Sequence, residues 1–336
     1  MYDAFLLVSF GGPEGPDDVL PFLENVLRGR NVPRERMLAV AEHYQHFGGV
    51  SPINEQNRQL LAAVEAELQR QGIHLPVYWG NRNWHPLLPD TLAQMKRDGV
   101  RRAIAFITSV FSSYSGCRQY RENIADAQAQ VAGSPAVDKL RVFFNHPGFI
   151  EPMIERTRDA FQQIPAERHS RTALLFTAHS IPMAMAGNCS YEAQLRESAR
   201  LIAQGVGHPQ HQIVYQSRSG PPSQPWLEPD VGDVLRQIAA AGEMTDVVAV
   251  PVGFISDHIE VLYDLDEEAR GIARELGLNF VRAGTVGVHP RFVTMIRELI
   301  EERIQGGPKL ALGEFGPSHD VCPVDCCRYE PRRPTP

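Results

Sequence analysis

The chain predicts an α/β protein of two similar domains, each a parallel sheet flanked by helices, with a cleft between them. Three observations carry this. Short β-branched or aromatic runs alternate with amphipathic stretches, the pattern of strand–helix–strand crossovers. The 336 residues are enough for two cores of ordinary size. Weakly similar segments also recur in one order: 77–82, Pro89-Asp90, 102–108 and 111–113 answer 214–218, Pro229-Asp230, 246–251 and 254–256, as 7–12 answers 176–180.

Taken in order, apolar runs place strands at 4–10, 76–80, 102–108 and 140–144, then at 172–178, 212–216, 246–253 and 278–282. Between them, helical spacing predicts 52–71, where Leu60, Leu61, Val64 and Leu68 share a face, then 89–98 and 147–163. The second half repeats it at 190–205, 229–241, 260–276 and 289–304. Gly72, Gly99, Gly242 and Gly277 stand where helix C-caps are expected. The expected division is 1–146, 147–305 and a Gly- and Pro-rich, loop-like tail over 306–336.

Net charge is −7, from 33 basic and 40 acidic residues, with no basic stretch, which argues against nucleic acid as a partner. No apolar run approaches the roughly 20 residues of a membrane span. The start, 1–8, lacks a charged leader and runs straight into a strand, so a cytoplasmic protein is expected. Five cysteines make no disulfide framework, yet three crowd together in Cys322-Pro323-Val324-Asp325-Cys326-Cys327.

His179-Ser180-Ile181-Pro182 ends the strand at 172–178, and the run 256–268 follows the strand at 246–253. Strand ends on one sheet edge face a common crevice, where a histidine and a row of carboxylates can meet. Glu260, Asp264 and Glu268 fall at i, i+4 and i+8, one row on a helix. A solvated helix face explains the row as well as divalent-metal handling does. Gly11-Gly12-Pro13 lacks the G-x-G-x-x-G spacing of a dinucleotide loop, and no G-x-S-x-G nucleophile elbow is present.

Several motifs in order make the chain resemble the ferrochelatases: Ser9-Phe10-Gly11-Gly12-Pro13, Arg28-Gly29-Arg30, Gly48-Gly49-Val50-Ser51-Pro52, Arg82 with His85-Pro86, His179-Ser180-Ile181-Pro182 and Ser256-Asp257-His258-Ile259-Glu260. The resemblance implies two Rossmann-like domains around a porphyrin cleft, with Fe²⁺ as the metal inserted. By position it implies that His179 and Glu260 are the catalytic and metal-site pair. Asp264 and Glu268 would continue a metal path, and Ser51, Tyr120 and Arg82 would contact porphyrin. Phe10 stands where some relatives carry an iron-facing tyrosine, so it offers packing and no ligand. Some ferrochelatases hold a [2Fe–2S] cluster with one internal and three C-terminal cysteines, which Cys117, Cys322, Cys326 and Cys327 match; zinc suits the same thiolates. Cys189 is expected to be a plain thiol.

Coproporphyrin III is the substrate such bacterial enzymes imply, with Arg28, Arg30, Arg34 and Arg36 as candidate rim residues or simply a solvated face. The alternatives are protoporphyrin, a cobalt or nickel chelatase of the same fold, and a non-enzymatic haem or metal sensor. A downstream haem-pathway enzyme is the expected protein partner.

Overall fold

The computed structural model describes residues 2–29, 32–221 and 223–329. Arg30, one of the candidate rim residues, lies outside them. In the first half, β1 (Ala4–Ser9), β2 (Val77–Asn81), β3 (Arg102–Ile107) and β4 (Ala136–Lys139) form a parallel sheet in the order β2-β1-β3-β4. Phe5 sits opposite Val77 on one side and Ile104 on the other. The second half repeats this with β5 (Thr172–His179), β6 (Gln212–Gln216), β7 (Asp246–Val250) and β8 (Asn279–Arg282), ordered β6-β5-β7-β8. The same strand order in both halves bears out the repeat read from the sequence. Each central strand is apolar along nearly its whole length, as a sheet covered on both faces requires.

The helices are α1 (Val19–Val26), α2 (Arg34–His46), α3 (Ile53–Arg70), α4 (Leu88–Arg97), α5 (Gln119–Gln130) and α6 (Pro147–Phe161), then α7 (Met183–Ala186), α8 (Tyr191–Val206) and α9 (Val231–Ala241). The segment expected as one helix over 260–276 is α10 (Ile259–Val261), π-helical turns over Leu262–Ala269 and α11 (Arg270–Glu275), before α12 (Pro290–Gln305). Gly72, Gly99, Gly242 and Gly277 have φ between 69° and 81°, the left-handed C-cap geometry expected of them.

Three differences from the sequence reading have physical reasons. The fourth strand is Ala136–Lys139 and not 140–144, because 140–144 leaves the ladder after Leu140 N–H bonds Ala105 C=O and buries its apolar residues in the core. Helix α2 buries only Met37 and Ala41, so it carries no apolar stripe to detect. Helix α5 buries Tyr120, Ile124 and Ala127, mostly small apolar area.

One continuous core joins the sheets: Phe5, Leu7 and Phe106 belong to the same packed cluster as Phe176, Val248, Val250 and Phe292. Helix α12 packs on both α6 and α3 and closes one side of the molecule. Among the described residues no helix is long and apolar enough to cross a membrane. The tail has no regular structure over 306–329, as expected.

Candidate active site

His179 is the last residue of β5, and Pro182 stops any continuation, so its ring projects from the sheet edge. Tyr191 Oη donates to the His179 carbonyl at 2.9 Å and fixes the backbone there. The ring's Nδ1 bonds the Ser180 carbonyl. A carbonyl only accepts, so Nδ1 carries a proton, and in the neutral ring that leaves the lone pair on Nε2. That lone pair faces Glu260 Oε2 at 4.0 Å. Ligands to a first-row metal stand about 2.0–2.2 Å from it, so one ion fits between these two atoms.

Glu260 is set by the loop before it. The ring of half-buried His258 caps α10, its Nδ1 accepting from Glu260 N–H at 3.3 Å. Burial lowers the His258 pKa, so this cap stays neutral. From the first half, Gln56 on α3 clamps the same loop by bonding both the carbonyl and the N–H of Asp257, at 3.2 and 2.9 Å.

The acidic run does not act as one unit. Arg282 takes Asp257 at 2.8 Å and Asp266 through both carboxylate oxygens at 2.9 Å, so these two are spent on structure. Asp264 and Glu268 instead line a small pocket with Gln216, Ser217 and Asp230. Burial, with Glu260 and Glu268 adding repulsion, pushes the Asp264 pKa up to about 7 against the opposing hydrogen bonds from Ser217 and Gln216. Burial also raises Glu268, with Asp230 next. Gln216, buried at the end of β6, donates to the Glu260 carbonyl at 2.9 Å and to Asp264 at 3.3 Å. The π turns are wider than an α-helix, and they keep Asp264 and Glu268 on the pocket while Asp266 faces Arg282.

Helix α2 reaches these residues from the opposite half. His43 stacks on Tyr263 with centroids 3.7 Å apart, and His46 lies 3.8 Å from Glu267. Tyr44 sits close enough to Glu260 and Asp264 that, after burial, their charges raise its pKa, which keeps its hydroxyl protonated. Arg36 reaches the Arg218 carbonyl at 3.4 Å. None of His43, Tyr44, Gln216 or Ser217 was singled out by sequence, since each acts from an element far away in the chain.

The expected substrate residues form a second group. Arg82 lies over the ring of Tyr120 at 4.5 Å and of Phe10 at 5.6 Å, and donates to Ser115 C=O at 3.3 Å. Phe10 packs edge-on against Phe22. Tyr120 and Ser51 are buried, Ser51 directly beneath Gly12, where an added Cβ would fall 2.8 Å from its own. Phe10 and Arg82 are thus the half-buried members of this group, with Tyr120 beneath them.

The cysteines gather at the tail. Cys117, in the turn Tyr114–Arg118, is buried and hydrogen-bonded to Cys322, which with Lys139 lowers its pKa to about 5. The Cys326 and Cys327 sulfurs are 3.5 Å apart, and Cys327 takes a left-handed φ of 55° that a non-glycine residue holds at a cost of about 1–2 kcal/mol. Arg118 and Arg121 bond the carbonyls of Val324, Cys326, Cys322 and Pro323, fastening the tail. The sequence reading missed His319, whose Nε2 lies 4.0 Å from Cys326 Sγ; its donor atom and those of Cys322 and Cys326 lie within 4.8 Å of one another. A cavity of about 620 Å³ opens beside them, walled also by Cys189.

Comparison with known proteins adds three findings. The family profile for ferrochelatase matches residues 2–304. A ferrochelatase of Rhodopirellula baltica is 62% identical over 99% of this chain and 95% of its own, and coproporphyrin III ferrochelatases of Streptomyces coelicolor and Frankia alni are 51% and 56% identical, over 99% and 97% of this chain and 95% and 86% of theirs. Among solved structures, SirB from Bacillus subtilis with Fe³⁺ aligns with a TM-score of 0.54 at 12% identity over 91% of this chain and 98% of its own. The cobalt complex of the sirohydrochlorin chelatase SirB from Bacillus subtilis subspecies spizizenii aligns at 0.52 and 11%, over 91% and 97%. These likenesses show a shared fold.

Proposed function

Given that the chain belongs to the ferrochelatase family, lyases that set Fe²⁺ into a porphyrin, we propose that coproporphyrin III is its substrate and Fe-coproporphyrin its product. The observation that carries the catalytic part is the His179 Nε2 lone pair facing Glu260 across a gap the size of one ion. In this reading His179 and Glu260 take the iron, and once it has passed to the porphyrin their freed Nε2 and carboxylate can receive the two protons that leave the pyrrole nitrogens, with Asp264 as the next acceptor. Asp264 suits that task because its raised pKa makes its carboxylate a stronger base than an ordinary aspartate. Glu268 and Asp264 pass the metal towards Glu260. Phe10 offers apolar surface to the macrocycle, Arg82 a cation for a propionate that Tyr120 backs from beneath, and Ser51 supports the loop below. The preference for coproporphyrin rests on the names of those relatives and on the arginines of α2, Arg34 and Arg36, at the cleft rim.

The cysteine site fits a structural metal group: four thiols gather, and Cys322, Lys139 and Arg121 favour the thiolate of Cys117, while the bond from Cys117 and burial raise Cys322 and burial raises Cys327. Cys117, Cys322, Cys326 and Cys327 would hold a [2Fe–2S] cluster, which would supply a covalent pin between the tail and the first half. His319 favours a second reading, a zinc ion held by this histidine with Cys322 and Cys326 and one further ligand. Visible charge-transfer absorption with iron and sulfide by elemental analysis supports the cluster; zinc alone supports the other reading.

We take 1–146 and 147–305 as the two domains, the enzyme as cytoplasmic, and a later haem-pathway enzyme as the acceptor of its product. The deciding experiment compares Fe²⁺ insertion into coproporphyrin III and protoporphyrin IX by the wild type and His179→Ala. Faster wild-type turnover of coproporphyrin, abolished in His179→Ala with porphyrin binding kept, is expected. Faster protoporphyrin turnover would reassign the substrate, and activity surviving in the variant would remove His179 from the chemistry.

A further inference from the structure

We propose that the cysteine-bearing tail is the positioning element of the cleft, holding Arg82 on one wall and the 217–229 loop on the other, so that the state of the cysteine site sets porphyrin affinity and not the insertion step. This rests on the porphyrin-cleft reading above. Two chains of contact lead from the cysteines to the site.

The first runs through the turn Tyr114–Arg118. Cys117 belongs to it, and so does Ser115, whose carbonyl accepts from Arg82 at 3.3 Å. One residue, Gly116, therefore separates the cysteine that binds the tail from the serine whose oxygen aims the guanidinium. The turn has little room to readjust: a Cβ on Gly116 would fall 2.5 Å from Ser109 Oγ.

The second runs through Tyr329. Its ring packs on Tyr114, with centroids 5.8 Å apart, and its hydroxyl accepts from Gln224 Nε2 at 3.1 Å. Gln224 lies in a loop that touches the catalytic groups at both ends. Ser217 at its start bonds Asp264. At its end Trp226 bridges Pro182, Leu227 N–H bonds Ile181 C=O at 3.0 Å, and Ser180 Oγ bonds Leu227 C=O at 2.8 Å. Those partners are the residues directly after His179. Within the loop, Gly220 lies so close under the Trp226 indole that a Cβ would meet its nitrogen at 2.1 Å. Tyr329 is thus the tail's contact with a loop that spans from the acidic path to the histidine motif.

A tether of this kind acts on the walls, while His179 and Glu260 keep their own supports from Tyr191, His258 and Gln56. Loosening it should therefore raise KM and leave kcat nearly untouched. Tyr329→Phe removes one hydroxyl and keeps the ring on Tyr114. We expect a rise in porphyrin KM of about two- to ten-fold, the size of one hydrogen bond. The metal content and absorption of the cysteine site should be unchanged, and amide exchange over 217–229 should be faster. Gln224→Leu should do the same, and the two together no more than either alone. Stripping the cysteine metal from the wild type should speed exchange at both 114–118 and 217–229.

The exchange measurement needs no substrate, so it stands even if neither porphyrin proves to be turned over, an outcome that would count against the proposed function alone. Unchanged exchange over 217–229 in Tyr329→Phe, or a fall in kcat at constant KM, would overturn the tether.

Discussion

Asp264 illustrates how a single side chain couples stability to function. Its carboxyl is raised to about 7, first by burial and then by Glu260 and Glu268, whereas an unfolded aspartate titrates near 3.9. A raised carboxyl stabilises the fold fully below the unfolded value and loses that contribution as pH climbs through the folded one, so the penalty is present at pH 8 and absent at pH 4. Asp264→Asn should therefore melt about 2–4 °C higher than wild type at pH 8, lose that advantage at pH 4, and insert iron more slowly. Thermal melts at the two pH values with one activity assay check it. At this scale the sequence was legible where residues are contiguous: His179 and Glu260 are announced by their motifs and by the strands they follow. The partners that tune them were not, because Gln216, Tyr191 and His43 enter by side-chain reach from other elements. The spending of Asp257 and Asp266 on Arg282 was likewise invisible in a run of carboxylates that all look alike.

Among the elements, the π turns of Leu262–Ala269 decide which carboxylates face the pocket. Sequence spacing placed Glu260, Asp264 and Glu268 on one α-helical row, and the structure keeps the last two on the pocket through a different winding. Deleting one residue between Asp264 and Glu268 would swing Glu268 by about 100°. Iron insertion should fall by about ten-fold or more, the loss of one metal-path contact, while far-ultraviolet dichroism stays unchanged. A variant that keeps full activity would show that Glu268 takes no part. Elements with strong apolar patterning, such as α3 and β5, were read nearly to the residue. Helix α2 was missed because it is stabilised by a few contacts at a rim, not by a stripe in a core. Misplacement of β4 has the opposite cause: 140–144 is the more apolar segment, but its burial comes from packing, and the ladder belongs to the plainer residues before it.

Across the whole molecule, the buried pair of Arg141 and Glu302 ties three regions together: the segment after β4, the end of α12 and, through the carbonyl and N–H of Leu310, the start of the tail. Removing one partner strands the other charge in the interior, so Glu302→Ala should destabilise the protein by about 3–5 kcal/mol, read as a lower urea midpoint. The overall plan, two like sheets and an irregular tail, was legible because the repeat and the turn residues are local signals. The sharing of one core between a face of each sheet was not, since nothing in either half's pattern records what its outer helices will touch. That shared core has a mechanical meaning. Two sheets joined by Phe106, Phe143, Phe292 and the length of α12 are built like the frame of a press, packed together at its back. On the cleft reading proposed above, a flat guest seated in such a frame would do the bending itself, and the rim pieces, α2 and the 217–229 loop, would give way when it leaves.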